Sequence, residues 1–548
     1  MKCTCTLAFI LFVSPLLLAS TPVVPDTTLA QLTANNTSTA NNFVAQTNGN
    51  LGAGNVSKAP VKSLMYPGFD GKLYAHFMGW FGGSNHMNVG YSSNNAAQVA
   101  SQVADMVSRG LDGAIVDWYG PNNSTPNGTT KLLRAEAEKR NGSFQFAVTE
   151  DVGALNSCAA MIGCDVTAQM ISDLTYAYNT FEVSPAYIRQ NGRPVVFFFG
   201  VETYAIDWSR VIAQVPGNPL FIQRNSGAFT NADFNGAFAW PSPNQSNAAD
   251  IGNSYLDNFY STGTKNPAEL AFGTGYKGFN DLMAAWTADR ITNQNCGQTF
   301  LNTFAQIASY YSVNRQLFAV QFATWNDYEE GTELESGIDN CVSVGGSASG
   351  TNVSWAITGS ANTVDHYTVF LSTDGVNLMT VGDVPASQTS YDFSGYSLAA
   401  GSYMVYVKAV GAPFMLNHMS AAIPLTIAYP SPQAALSVTP VLTRPGLPVQ
   451  ASAAASTIPA RSTATTTIDF GDGTVVTGAT AAHVYSSPGT YTVTATVMDS
   501  NGESSIASAT VSVSRLVSRP NPLPRLPRFP GFTIRAGLGN AGRFFEAW

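Results

Sequence analysis

The stretch Trp325-Asn-Asp-Tyr-Glu-Glu-Gly-Thr332 sets two carboxylates, Asp327 and Glu330, three residues apart behind an apolar run. Paired carboxylates can divide one reaction between them. One, kept protonated, gives its proton to a leaving oxygen, and the other serves as base or nucleophile. The proton donor must hold its proton near neutral pH, so Glu330, read as the general acid, needs a pKa raised by burial or by a neighbouring carboxylate. Asp327 is then the base, or the group that activates the attacking oxygen. The competing assignment for both is structural, as caps at the start of a helix. Glu329 alternates away from Glu330 in an extended segment and is read as structural.

Related residues follow other apolar runs. They are His76-Phe-Met-Gly-Trp80, Asp117-Trp118-Tyr119, Thr149-Glu150-Asp151, Glu202, Arg224-Asn225, Trp240 and Tyr276-Lys277 through Asp281. Carboxylates and amides bind hydroxyls, and flat aromatic rings match the C–H faces of sugar rings, so the mixture suits carbohydrate. Taken singly, each aromatic could equally be core packing, and only the combination with carboxylates is informative. Glu150 is the third catalytic candidate. His76, Trp80, Asp117, Trp118, Tyr119, Asp151, Trp240, Lys277 and Asn326 are candidates for binding a polysaccharide or oligosaccharide. There is no phosphate-binding loop, no dinucleotide glycine pattern and no nucleophile elbow. With five His and no C-x-x-C pair, neither a metal site nor a cofactor is expected.

What must position these groups is a set of strands with intervening helices. Apolar runs predict strands at 73–78, 113–118, 144–149, 194–199, 220–223, 236–240, 269–273 and 317–324. Val99, Val103, Met106 and Val107 mark a helix face, with Asn94 or Asn95 as cap and Gly110 as terminator. Further helical patterns cover about 130–140, 166–180 and 297–312. Strands alternating with helices over 61–341 predict a (β/α)8 barrel, whose catalytic groups sit at the C-terminal ends of the strands. A doubly wound sheet is the alternative. The interval 225–235 is too short for an ordinary helix between the fifth and sixth strands.

Tyr74-Ala-His-Phe-Met-Gly-Trp80, Arg109-Gly-Leu-Asp-Gly-Ala-Ile-Val-Asp-Trp-Tyr119 and Trp325 to Thr332 make residues 73–341 resemble the barrel glycosidases of families 71 and 99. The first stretch is similar to the strand-one motif of family 71 α-1,3-glucanases. The last resembles the family 99 motif Asn-Glu-Trp-x-Glu-Gly-Thr, with Asp327 standing where that motif has Glu. The resemblance implies hydrolysis of an α-linked glucan or mannan, with Asp327 and Glu330 in the two carboxylate roles.

The rest of the chain sets the context. Of 548 residues, 11% are charged and the net charge is −9, which offers no general attraction to nucleic acid. Lys2 followed by the apolar run 7–18 and Leu18-Ala19-Ser20 predicts an export signal over 1–20, too short to span a membrane. Residues 21–60 read as a flexible linker and the protein as secreted. Cys158, Cys164, Cys296 and Cys341 allow three disulfide pairings, among which the sequence does not choose. Residues 342–429, with Trp355, Tyr367 and Tyr403-Met-Val-Tyr-Val, resemble a fibronectin type III sandwich. Residues 434–514, with Ile468-Asp-Phe-Gly-Asp-Gly473, His483-Val-Tyr485 and Pro488 to Val493, resemble a polycystic-kidney-disease (PKD) module. Asp469 and Asp472 are read as turn carboxylates in preference to calcium ligands. Both modules are expected to leave the barrel folding alone. The Pro- and Arg-rich stretch 515–548 reads as a tail. A non-catalytic carbohydrate-binding or adhesion protein is the alternative function.

Overall fold

The computed structural model describes residues 56–83, 85–243, 252–459 and 463–515. The expected export signal, the linker up to residue 55 and the tail from 516 onward lie outside the described residues. Eight parallel strands close on themselves. They are β1 (Lys72–Met78), β2 (Gly113–Trp118), β3 (Gln145–Asp151), β4 (Arg193–Phe199), β5 (Leu220–Arg224), β6 (Gly236–Phe238), β7 (Leu270–Gly275) and β8 (Ala319–Phe322). Neighbours pair in chain order, and β8 returns to β1 with Lys72 opposite Ala319 and Ala75 opposite Phe322. A doubly wound sheet would keep two open edges; here the pairing leaves none. Strands such as Arg193–Phe199 are apolar from Pro194 onward because one face fills the barrel and the other meets helices.

The helices are α1 (Ala96–Ser108), α2 (Ser124–Lys139), α3 (Gly153–Ala159), α4 (Val166–Ala177), α5 (Trp208–Gln214), α6 (Asn253–Lys265) and α7 (Gln298–Tyr310). In α1 the Asn95 side chain accepts from the N–H groups of Ala97 (2.9 Å) and Gln98 (3.2 Å), which caps the first turn. Its buried face is Val99, Val103 and Met106, and each such side chain contributes about 1.5–3 kcal/mol. Gly110 takes φ +85° to leave the helix. Between β5 and β6 there is only a 3-10 turn, Ser226–Thr230, as the short interval requires. The disulfides pair Cys158 with Cys164 and Cys296 with Cys341.

Residues 342–427 form a sandwich. One sheet holds Ser343–Ser349, Asn352–Thr358 and Ser390–Asp392; the other is built on Val364–Ser372 and Gly401–Gly411. Trp355 and Tyr367 meet edge to face at 5.3 Å in its core. The barrel, expected to fold without the sandwich, shares its apolar cluster with it. A turn of the sandwich inserts Phe414, fully buried, against Phe300 (5.8 Å) and Phe322 (5.6 Å) of the barrel. Ile338 N–H donates to Phe414 C=O (2.9 Å), and Leu416 N–H donates back to Ile338 C=O (2.8 Å). Ala412, Phe414 and Met415 therefore belong to the barrel's own apolar cluster. Val56, expected in the linker, is fully buried and bridges to Leu416.

The unit from Ala428 onward is a second sandwich with its own core of Ile468, Phe470, Tyr485, Val493 and Val511. Asp469 accepts from Gly471 N–H (2.8 Å) and Asp472 from Thr474 N–H (3.1 Å), so both carboxylates brace the turn. Asp472 also bonds His483 (2.7 Å). No helix among the described residues is long and apolar enough to cross a membrane.

Candidate active site

Parallel strands share one C-terminal face, and there the barrel opens into a cavity of about 100 Å³. Side chains alternate along a strand, so every second residue reaches this mouth. His76 and Met78 enter from β1, Asp117 from β2, Asp151 from β3 and Phe199 from β4. Trp80, Tyr119 and Trp240 follow β1, β2 and β6, and Asp327 and Glu330 follow β8. Trp240 stands edge-on to His76 (4.8 Å) and Phe199 (5.0 Å). Trp80 stacks on His86 (4.9 Å), and His86 bonds Glu329 (2.9 Å). Glu329 also accepts from Met87 N–H (2.8 Å), so it braces the loop behind Trp80.

Four carboxyl groups share this small space, and their protons are held accordingly. Burial, then the charge of Glu330, pushes Asp117 up to about 8, against a favourable contact from the Tyr119 hydroxyl. Asp151 lies well above the ordinary range through burial and the charge of Asp117. Burial and Glu330 likewise raise Asp327 far above it, even though its Oδ1 accepts from the N–H groups of Glu329 (3.0 Å) and Glu330 (2.9 Å). Burial raises Glu330 as well, while the Trp286 N–H and the charges of Arg290 and Arg224 oppose it. His76 is driven the other way, to about 4, chiefly by burial. Gln321 donates its Nε2 to Ala239 C=O (3.1 Å), so its Oε1 faces His76 Nδ1 at 3.2 Å. That assigns the His76 proton to Nδ1 and leaves Nε2 as an acceptor 3.8 Å from Asp117 Oδ1. The cluster is thus stocked with protons on acids and holds a neutral imidazole, an arrangement fitted to proton donation.

Residues 429–514 match the family model for the PKD domain. No curated protein matches the chain. Among solved structures, a GH99 endo-alpha-mannosidase from Bacteroides thetaiotaomicron is 16% identical, with 49% of this chain and 87% of that one covered and a TM-score of 0.39. The PKD1 domain of a Vibrio cholerae metalloprotease is 28% identical over 16% of this chain and 100% of its own, with a TM-score of 0.14. Fibronectin(III)-like modules of Clostridium thermocellum are 15% identical over 33% of this chain and 98% of theirs, with a TM-score of 0.16. Scores of this size leave the chemistry to rest on the residues of this chain.

Four candidates from the sequence stand apart from the cavity. Glu150 points outward from β3, opposite Trp118 across the strands, and faces Asp173 of α4. Burial first, then Asp173, holds its carboxyl well above the usual range. Trp118 also points outward, stacked on Tyr176 at 6.0 Å and donating to Asn127 (3.3 Å). Lys277 is buried, with its ammonium on Glu333 at 2.6 Å. Asn326 spends its amide on the backbone of Met78, accepting from N–H (2.8 Å) and donating to C=O (3.0 Å), and so ties the β8 loop to β1.

Three contributors were missed. Phe199 was visible as the last residue of an apolar run, and Trp286 as an aromatic beyond the seventh strand. Arg109 was visible only as the first residue of the stretch 109–119, with no role attached: fully buried at the end of α1, it donates to the carbonyls of Leu334 (2.7 Å) and Glu335 (2.8 Å), pairs with Asp105 and stacks over Trp325 at 4.9 Å. It holds the loop that carries Asp327 and Glu330. Among the described residues, no group of three or more His, Cys, Asp or Glu is arranged to hold a metal ion.

Proposed function

We propose that the barrel is a glycoside hydrolase acting on a polysaccharide. The observation that carries the reading is the convergence of Asp117, Asp151, Asp327 and Glu330 with Trp80, Tyr119 and Trp240 around one cavity at the C-terminal face of the strands. Glu330 gives its proton to the glycosidic oxygen as the bond to the anomeric carbon breaks. Water adds its oxygen to that carbon and gives its proton to Asp327, which serves as base in its ionised form, so turnover needs the state in which Asp327 has lost its proton and Glu330 has kept its own. Asp117 and Asp151 accept hydroxyl hydrogen bonds, and His76 Nε2 is the matching acceptor. An α-linked glucan or mannan is favoured by the resemblance of residues 74–80 and 325–332 to families 71 and 99. Residues 342–427 are proposed as a fibronectin type III-like accessory module, and the chain as secreted, on its N-terminal segment and two disulfides.

A non-catalytic carbohydrate-binding role is the second reading. It is favoured by the two backbone N–H groups that occupy Asp327 Oδ1, since a carboxylate used as a turn brace has less freedom to act as base. Reducing-end release from a panel of α-glucans, α-mannans and β-glucans separates the two. Turnover on an α-linked member supports hydrolysis; binding without turnover supports the second reading.

A further inference from the structure

The loop between β7 and α7 carries an aromatic that the fold does not require. Trp286 is 43% exposed and takes no part in the barrel's apolar cluster. It nevertheless lines the cavity, with its Nε1–H directed at Glu330 Oε1 at 3.4 Å. Its ring stands edge-on to Trp80 (6.3 Å) and His86 (6.2 Å). The base of the loop is pinned by Asp281, fully buried, whose carboxylate accepts from Ala288 N–H (3.2 Å), Arg290 N–H (2.8 Å) and Arg290 Nε–H (2.8 Å). A short antiparallel pairing of Phe279–Asn280 with Ile291–Thr292 closes it. Glu330 C=O accepts from Asn280 N–H (2.7 Å), so the loop is also tied to the segment that carries the carboxylates.

A pinned loop holds a half-exposed indole at the mouth of the acidic cavity, with its N–H on the Glu330 carboxyl. We propose that Trp286 is a substrate-contacting residue that receives a sugar ring on its exposed face while its N–H orients the Glu330 carboxyl. This rests on the hydrolase reading above, and it deepens that reading by assigning one sugar-binding surface to the loop after the seventh strand.

The N–H contact also sets a direction for pH. Glu330 is faced by Asp327 from its own loop, Asp117 and Tyr119 from β2 and its end, His76 from β1, Arg224 from β5, and Asp281 and Arg290 from the loop. Among these, the Trp286 N–H favours the ionised carboxyl. Removing it raises the pKa of Glu330. If Glu330 must be protonated to act, activity is lost as pH rises through that pKa, so the alkaline limb moves to higher pH.

The experiment compares wild type, Trp286→Phe and Trp286→Ala on α-mannan and α-1,3-glucan oligosaccharides, with pH–rate profiles and calorimetric titration. Trp286→Phe keeps a ring and loses the N–H, so KM stays within about threefold while the alkaline limb moves up. Trp286→Ala loses both, so KM and Kd rise by at least about tenfold, the scale of truncating one well-placed aromatic contact. Thermal unfolding of both variants should match wild type because the residue lies outside the core. Unchanged KM, Kd and pH profile in both variants, with an active wild type, overturn the assignment of Trp286 alone. An inactive wild type that still binds sugar overturns the hydrolase reading, and Trp286→Ala then decides the tryptophan by affinity. Neither turnover nor binding on any oligosaccharide overturns both.

Discussion

Phe414 sits about ninety residues beyond the last barrel strand, which ends at Phe322, yet it fills the barrel's periphery. Its side chain has no exposure and contacts Phe300 of α7, Phe322 of β8 and the guanidinium of Arg109 at 5.5 Å. Replacement by alanine removes a full aromatic from a site whose neighbours are fixed by two sheets, so little collapse can refill it. Truncations of this kind cost about 3–5 kcal/mol, a large share of the 5–15 kcal/mol typical of a folded domain. With m near 3 kcal/mol/M, the urea midpoint of Phe414→Ala should fall by roughly 1 M or more. Hydrogen exchange read by peptide should show barrel segments around 298–322 and sandwich segments around 401–425 losing protection together. The unit from residue 428 onward, with its own core, should be unaffected. By the same reasoning, a chain ending after Cys341 exposes the faces of Phe300 and Phe322 and should not unfold cooperatively. The reasoning is refuted if that shortened chain folds with full barrel protection, or if Phe414→Ala softens the sandwich alone.

Three further outcomes follow from the site. Glu330→Gln should lower kcat by at least about 100-fold with an unchanged circular dichroism spectrum, the scale of losing a general acid; near-native turnover removes Glu330 from the mechanism. Asp117 titrates at about 8 in the fold against an ordinary 3.8, so it binds its proton more tightly when folded. The stabilisation this brings is full below about pH 4 and is lost as pH rises towards 8. Asp117→Asn should therefore flatten the fall of Tm over that window, and an unaltered slope would contradict the assignment. Arg109→Met should lower stability by about 1–3 kcal/mol or more, because it leaves the carbonyls of Leu334 and Glu335 without their donor and Asp105 with Lys58 as its remaining cation. It should also reduce kcat by loosening the β8 loop, which a kcat comparison below the Tm would reveal.

The sequence by itself determined the eight barrel strands and four of the seven helices, α1, α2, α4 and α7, and hence that the groups following those strands would share one end of a barrel. Apolar runs such as 113–118 and 194–199 carry that information locally, as does the α1 face of Val99, Val103 and Met106. Parallel strands have a common polarity, so the residues that follow them must meet. The turn chemistry of the second sandwich was equally local, because Asp469 and Asp472 bond amides two residues away.

Tertiary structure alone decided which of two adjacent residues faces the cavity. Glu150 and Asp151 are both acidic, so no polarity pattern reveals the phase of the two-residue alternation, and only barrel closure turns Asp151 inward and Glu150 towards Asp173. The same alternation sends Asp117 in and Trp118 out. Lys277 and Asn326 were drawn away from the cavity by partners that lie 56 and 248 residues distant, Glu333 and Met78. A buried ammonium or amide has to find such partners or be destabilising, and composition does not say where they are. Phe414 is the extreme case. A lone aromatic in a turn reads as surface until a second domain is folded against it, because its burial is created by contacts far apart in the chain.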